Sequence, residues 1–203
     1  MTELTDFQKS ALSEMGNIGA GHAAIALSQL IGKKIMIAVT KVRLTGIAEF
    51  IKDIGSKEAL VMGVYLKVLG EAQGGIILVF LRENVLSLVD ILLNQKIGTT
   101  KILAELEESC FKETGSILSG AYLNALSELM QITLIPSVPK IAFDQAGVMV
   151  ESIFGKLLEG SNIVLGIETE FVEAAARIKG HFLFMPDAEG IEVLLKRLGV
   201  PTA

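Results

Sequence analysis

Apolar residues in the first half of the chain follow a helical spacing first and strand-like runs afterwards. Thr5 and Gln8 form a capping box, which predicts a helix from there to about Leu30, closed by Gly32 and two lysines. The apolar residues expected to form its buried side are Phe7, Ala11, Met15 and Ile18. The β-rich segments that follow lie at 34–40, 42–51, 58–67 and 74–82. Helical spacing then returns over 83–93.

The second half of the chain is predicted to repeat this order. A long helix is expected near 104–130, followed by an Ile-Pro-Ser-Val-Pro break at 135–139. The other predicted elements are strands near 162–171 and 176–185 and a closing helix near 188–198. The pattern leaves 145–159 open, although a helix there is favoured by Val148, Ile153 and Leu157. Strands joined by turns, without intervening helices, favour antiparallel pairing, so the predicted class is α+β.

An internal repeat underlies this order. Shifting the sequence by 99 positions aligns residues 10–36 with 109–135. The identical pairs under this shift are Ser10/Ser109, Glu14/Glu113, Gly16/Gly115, Ile18/Ile117, Gly21/Gly120, Ala26/Ala125, Leu27/Leu126, Ser28/Ser127, Leu30/Leu129, Val39/Val138 and Lys41/Lys140. Farther along, with a drifting offset, Gly63-Val-Tyr resembles Gly166-Ile-Glu, and 75–80 resembles 180–185.

The repeat predicts one domain, residues 1–203, built of two halves at about 1–98 and 99–203. No Pro/Ser-rich linker separates the halves; only Gly98-Thr-Thr-Lys marks the join. The halves are therefore expected to share one mainly antiparallel sheet and one core. Two long helices would be related by a pseudo-two-fold axis.

Each long helix carries a polar stripe in an otherwise apolar sequence. The first stripe consists of Ser10, Glu14 and Asn17, followed by Gly21, and the second, 99 positions later, of Ser109, Glu113 and Ser116, followed by Gly120. On an α-helix these spacings place the polar side chains within roughly 60° of one another. A serine, a carboxylate and an amide on one stripe add nothing to an apolar core. Both stripes are therefore predicted to contact another molecule.

Two structural explanations of the same residues stay open. Small residues between Gly16 and Ala26 could let another helix pack closely, and Glu14 and Glu113 could be ordinary solvated glutamates. The packing explanation has one weakness, because Gly21 lies on the same face as Glu14. A neighbouring helix at that place would have to satisfy a buried carboxylate.

Bulk composition narrows the classes of partner. The net charge of −5 offers no basic stripe for phosphates, so nucleic-acid binding is not expected. Apolar runs stay far below the roughly 20 residues that span a bilayer, and the N-terminal residues lack the pattern of a signal peptide. Cys110, the one cysteine, is expected to be a small buried hydrophobe in a reducing compartment. The protein is predicted to be cytoplasmic, without membrane insertion.

The sequence offers little support for other chemistry. The run from Gly16 to Gly21 has the order G-x-x-G-x-G inside a helical pattern, whereas a dinucleotide fingerprint follows a strand as G-x-G-x-x-G. No Walker lysine, Gly-x-Ser-x-Gly elbow or Cys/His cluster occurs. His22 and His181 are expected to be structural or surface residues, so no metal site is predicted.

The first stripe and its surroundings resemble the CheC family of bacterial and archaeal chemotaxis phosphatases. That family's pattern is Ser or Asp, three residues, Glu, two residues, Asn, 22 residues and Pro, and here Glu14 opens the run Glu-Met-Gly-Asn-Ile-Gly-Ala-Gly-His-Ala-Ala. Length, duplication and helix positions extend the resemblance over nearly the whole chain. Two positions depart from it: Thr40 replaces the proline of the first copy, and Ser116 replaces the asparagine of the second, which keeps Pro139.

The resemblance implies an enzyme that hydrolyses the aspartyl-phosphate of CheY, a receiver domain that supplies its own Mg²⁺ and lysine. It implies that Asn17 orients the attacking water, because a neutral amide is not repelled by the phosphoryl group. Glu14 would pair with the receiver's lysine. The protein would need no cofactor of its own.

The resemblance also assigns roles along the rest of both stripes. The positions implied to contact the receiver are Ser10, Gly21, Ser109 and Gly120. Glu113 would still dock a receiver at the second stripe. Ser116 is shorter than asparagine and has a single hydroxyl, so this second site is expected to hydrolyse weakly.

Two rival functions accompany the phosphatase. The family is also known to bind the receptor-modifying deamidase CheD, and imperfect motifs would suit a non-catalytic adaptor that binds CheD, CheY-phosphate or both. A flagellar-switch component is the third possibility, since the switch protein FliY shares this domain. Asn17 discriminates between the first two, because an adaptor has little need for it.

Overall fold

The helices and strands come from a computed structural model that describes residues 4–31, 36–154, 163–173 and 176–201. The helices are α1 (Asp6–Ile31), α2 (Ile47–Ile54), α3 (Arg82–Leu92), α4 (Glu105–Met130), α5 (Ala146–Phe154) and α6 (Ala188–Arg197). The strands are β1 (Met36–Gly46), β2 (Leu60–Gly70), β3 (Gly74–Leu81), β4 (Leu134–Pro136), β5 (Lys140–Gln145), β6 (Ile163–Glu173) and β7 (Ala176–Pro186). The order α-β-α-β-β-α is thus met first in α1 to α3, and again from α4 to α6 with its first strand in two pieces.

The strands form one antiparallel sheet in the order β1-β6-β7-β3-β2-β4, with β5 also paired to β2. The hairpin β2–β3 pairs on its outer side with β4 and β5, which come from later in the chain. The hairpin β6–β7 pairs on its outer side with β1, which comes from the beginning. The hairpins meet where β3 pairs with β7 at the centre. The predicted α+β class with a mainly antiparallel sheet is confirmed.

Helices cover the sheet on both faces. In β3, Ile76, Leu78 and Phe80 pack in a core with α1, α3, α4 and α6, whereas Ile77 and Val79 pack in a second core with α2 and α5. All five side chains are fully buried, which explains why β3 is a continuous apolar run without alternation. Each such burial stabilises the fold by roughly 1.5–3 kcal/mol.

The buried side of α1 differs from the prediction. Phe7 is 67% exposed, and the fully buried positions are those of Leu12, Met15 and Leu27. The capping box is confirmed, since the Thr5 amide donates to Gln8 Oε1 at 2.9 Å. The Gln8 side chain turns inward, however, and its Nε2 donates to the backbone oxygen of Pro201 at 2.8 Å. Of the predicted residues, Met15 is confirmed as buried, Ala11 and Ile18 are half-buried, and Phe7 is wrong. The centre of the buried side is therefore rotated from the predicted one by roughly 100°.

The structure differs from the sequence pattern at two other places. A strand was predicted at 42–51, but β1 ends at Gly46 and α2 follows, because Phe50, Ile51 and Ile54 have helical spacing and are buried. The sequence pattern missed β4 and β5, which the break at 135–139 obscures. The helix favoured within 145–159 is confirmed by α5, which covers 146–154, although Val148 on it is 47% exposed. Residues 32–35 and Leu157 lie outside the described residues.

The predicted match of 75–80 with 180–185 is one residue out of register. It aligns Ile77 with Phe182, but these side chains lie in the cores on opposite faces of the sheet. Strand side chains alternate between faces, so equivalent residues must share a face. Aligning Gly74 with Gly180 restores this, since Ile77 then corresponds to Leu183 in the same core.

The proline position of the motif coincides with a β-bulge in both halves. In β1 one extra residue, Thr40, lies between Val39 and Lys41, whose partners are adjacent on β6. In the other half Pro136 pairs with Val68 and Lys140 with Tyr65. Pro136 and Lys140 are four residues apart while their partners on β2 are three apart, so this side also has one extra residue. Bulges are one of the few places where a sheet accepts proline. Threonine in the first copy thus keeps the bulge without the proline.

Asp90 ties the end of α3 to the segment that joins the two halves. Its fully buried carboxylate accepts backbone N–H bonds from Gly98 at 2.7 Å, Thr99 at 3.0 Å and Thr100 at 2.9 Å. Burial alone would raise the pKa of this carboxyl, but hydrogen bonds from the Thr100 side chain and from the three amides outweigh it and lower the pKa.

We expect Asp90→Asn to destabilise the protein by about 1–3 kcal/mol at neutral pH, because buried amides lose a charged acceptor. Since folding lowers the carboxyl pKa, its stabilisation is present above the unfolded-state pKa and is lost as pH falls through the folded-state pKa. The difference between wild type and variant should therefore shrink in acid. Urea denaturation at neutral and at acid pH measures this difference in the free energy of unfolding. Asp144→Asn is the control, because Asp144 is exposed. An equal difference at both pH values would contradict this account.

Candidate functional site

The first stripe lies on the outer surface of α1. Ser10, Glu14 and Asn17 are exposed, and Gly21 is half-buried. A methyl group at Gly21 would meet no atom within 4 Å, so the surface is open there. The stripe points almost directly away from the buried side of α1, which Leu12 and the other inward residues define.

The second stripe has a similar position on α4 but a different composition. Ser109 and Glu113 are exposed, Ser116 and Gly120 are half-buried, and a methyl group at Gly120 would also meet open space. Ser116 provides one hydroxyl where the first stripe has an amide. Lys112 lies one turn before Ser116 on α4 and is half-buried. The corresponding position on α1 is occupied by Ser13. The second stripe therefore keeps the exposed serine, the exposed carboxylate and the open glycine of the first stripe, without its amide.

Close helix packing uses other glycines. A Cβ at Gly19 would lie 2.5 and 2.6 Å from ring carbons of Tyr122, so α1 and α4 touch there. A Cβ at Gly115 would lie 2.6 Å from Val64 on β2. The packing explanation is thus correct for Gly19, whereas Gly21 faces open space and Gly115 allows close packing against a strand.

The other candidate groups lie away from the stripes. His22 is exposed on α1, and His181 is buried with its ring edge-to-face against Phe50, 5.8 Å between centroids. Cys110 is half-buried, less than predicted, and burial together with the Glu107 carboxylate raises the pKa of its thiol. A raised pKa disfavours the reactive thiolate. Within the described ranges, no three His, Cys, Asp or Glu residues group as a metal would require.

Sequence patterns missed Phe7 and Leu106 as surface residues. Both side chains are exposed next to the stripes, at 67% and 63%. Phe7 was predicted to be buried because of its apolar character, and no local signal separates a buried from an exposed apolar residue at these positions. None of the helices in the described part of the chain has the length and apolarity needed to cross a membrane.

Comparison with known proteins places these features in context. The model of the CheC-like family matches residues 7–39, which include the whole first stripe. CheY-P phosphatase CheC of Bacillus subtilis (strain 168) is 28% identical over 196 residues, covering 95% of this chain and 94% of that protein.

Solved structures share the fold. FliY of Thermotoga maritima superposes with a TM-score of 0.78 at 24% identity, covering 98% of each chain. A chain of the FliG–FliM complex from H. pylori superposes with a TM-score of 0.65 at 11% identity, covering 93% of this chain and 100% of that one. The resemblance of this chain to the CheC family, inferred from the motif, is therefore confirmed by the family model, by sequence over nearly the whole chain and by the fold.

Proposed function

We propose that the protein hydrolyses the aspartyl-phosphate of a CheY-type chemotaxis receiver at the first stripe. The observation that carries this proposal is the exposed amide of Asn17 one turn from the exposed carboxylate of Glu14, inside the segment that matches the CheC-like family model. The name of the B. subtilis relative supports the same substrate.

Asn17 acts by holding water in line with the bond that breaks. Its amide oxygen accepts a hydrogen bond from the water, and its nitrogen donates nearby. The water oxygen bonds to phosphorus while the bond from phosphorus to the receiver's aspartate oxygen breaks, releasing phosphate and a free carboxylate. The Mg²⁺ and the lysine that stabilise the developing charge belong to the receiver. Phosphoryl transfer needs mostly such positioning, so this protein needs no cofactor of its own.

Glu14, Ser10 and Gly21 set the position of the receiver. The Glu14 carboxylate forms an ion pair with the receiver's active-site lysine and fixes the register of the two proteins. Ser10, one turn away, donates a hydrogen bond to the partner's backbone. Gly21 leaves room for close approach, in keeping with the open space above it.

The second stripe docks a receiver and hydrolyses its aspartyl-phosphate only weakly. Glu113 and Ser109 provide the same docking groups, and Gly120 the same open space. Ser116 is too short to hold water at the distance that the amide reaches. Lys112, four residues before Ser116, adds a positive charge that favours a bound phosphoryl group without orienting water.

A non-catalytic adaptor that binds CheD, CheY-P or both is the second candidate. The absence of the amide from the second stripe favours it, because that stripe retains docking groups alone. The fold does not separate the candidates, since it also occurs in a chain of the FliG–FliM complex.

Phosphate release from a phosphorylated chemotaxis receiver tests the proposal directly. The receiver is mixed with the protein, with and without CheD, and the loss of acyl phosphate is followed over time. Even without CheD, we expect the protein to release phosphate well above the rate at which the receiver hydrolyses its own acyl phosphate. An unchanged rate together with measurable binding would favour the adaptor.

A further inference from the structure

One large apolar side chain is exposed near the start of each motif-bearing helix. Phe7 is the second residue of α1 and is 67% exposed, and Leu106 is the second residue of α4 and is 63% exposed. The two positions are 99 residues apart, like the stripes themselves. Inward packing at the start of α1 is provided by Leu4 and Gln8, so Phe7 is not needed there.

Both side chains lie in line with their stripes. Phe7 precedes Glu14 by seven residues, nearly two full turns, so the two project within roughly 20° of each other. Leu106 stands in the same relation to Glu113. On α1 a further apolar side chain, Ile25, is 57% exposed at five full turns from Phe7. The first stripe is therefore bracketed by two apolar side chains and the second, which has Asn124 at the corresponding place, by one.

The dimensions and charges of this surface fit a protein. From Phe7 to Ile25 it extends about 27 Å along α1, a length typical of protein contacts and much longer than a small acyl phosphate. Asp6 next to Phe7 is paired with Lys9 at 3.8 Å, and Glu14 lies nearly two turns farther along the same face. Glu105, Glu107 and Glu113 lie near Leu106. A partner that fits the first stripe therefore presents a basic group to Glu14 and an apolar group to Phe7, whereas a free anion has neither.

We infer that Phe7 and Leu106 are the apolar anchors that hold a folded receiver on the two stripes, and that the stripes do not accept free acyl phosphates. The inference rests on the proposed function, whose polar contacts it supplements. Aromatic anchors that become buried in an interface are typical of the residues that dominate binding energy, so the larger share is expected from Phe7.

Binding of a beryllofluoride-activated receiver tests the anchors without hydrolysis. We expect the double variant Phe7→Ala/Leu106→Ala to weaken the receiver Kd about tenfold or more, the equivalent of about 1.4 kcal/mol. Leu30→Ala/Leu129→Ala is the matched control, because these leucines are also exposed and 99 residues apart but face away from the stripes. A circular dichroism melt checks that both double variants fold.

The outcomes are distinct for the two proposals. Equal affinity of the two double variants, or no binding of the receiver by the wild type, would overturn the anchors. Hydrolysis of acetyl phosphate as fast as of the phosphorylated receiver would overturn the preference for a protein. Receiver binding that depends on Phe7 and Leu106 without phosphate release would instead support the anchors and contradict the phosphatase.

Discussion

Asn17→Ala is expected to slow dephosphorylation of CheY-P by about 10²–10³-fold, because it removes the group that orients the attacking water. Since Glu14 and Ser10 remain, the affinity for a receiver should change little. The effect should therefore appear in kcat and not in KM. Phosphate release at saturating phosphorylated receiver, combined with binding of the beryllofluoride-activated receiver, separates the two quantities.

Gln29→Ala is the matched control, since it removes another exposed amide from α1 outside the stripe. Glu113→Ala tests how much of the phosphatase activity comes from the second stripe, and it should lower total activity only slightly. Should Asn17→Ala keep most of the activity while Glu113→Ala loses it, the catalytic and docking sites are exchanged. The substitution Ser116→Asn in the Asn17→Ala protein should recover part of the activity, because it provides the missing amide on the second stripe.

Gly19→Ala and Gly21→Ala should have opposite effects on stability although they lie two residues apart on one helix. The added methyl group at Gly19 would overlap the Tyr122 ring and approach Leu126 to 3.2 Å, and overpacking of this kind costs about 1–3 kcal/mol. At Gly21 it meets open space, so the gain in helix propensity of up to about 1 kcal/mol should remain.

Tyr122 has little freedom to relieve that overlap. Its fully buried ring packs against Phe182 at 4.9 Å and Phe184 at 5.7 Å between centroids. Within the described residues its hydroxyl has no hydrogen-bond partner, and burial raises the pKa of the phenol. The ring is held by its neighbours, so α1 would have to move away from α4.

Urea denaturation of the two variants measures this difference, and each serves as the control for the other. Equal stabilities would show that α1 and α4 can move apart without cost. The proposed function adds a second readout: Gly21→Ala should raise KM for the phosphorylated receiver while the protein stays fully folded, because the methyl group occupies space that the partner needs.

The limits of α1 and α4 were predictable because their signals are local. The capping box at Thr5 and Gln8 marks one helix start, and the two stripes mark the outer surface by their spacing. The strand register and the buried side of each helix were harder to predict. The alignment of β3 with β7 was one residue out, and the buried side of α1 was placed at Phe7, because small and apolar residues surround most of that helix.

The sequence by itself determined the spacing of the stripes, the two long helices and the α+β class, since each depends on residues close together in the chain. Tertiary structure alone decided that Gln8 turns inward and Phe7 outward, because Pro201, at the far end of the chain, bonds the Gln8 amide. It also decided that Gly19 meets Tyr122 while Gly21 stays open, and that each hairpin takes its outer strand from the other half. These features depend on contacts between distant segments, which a periodic pattern along one helix or strand does not encode.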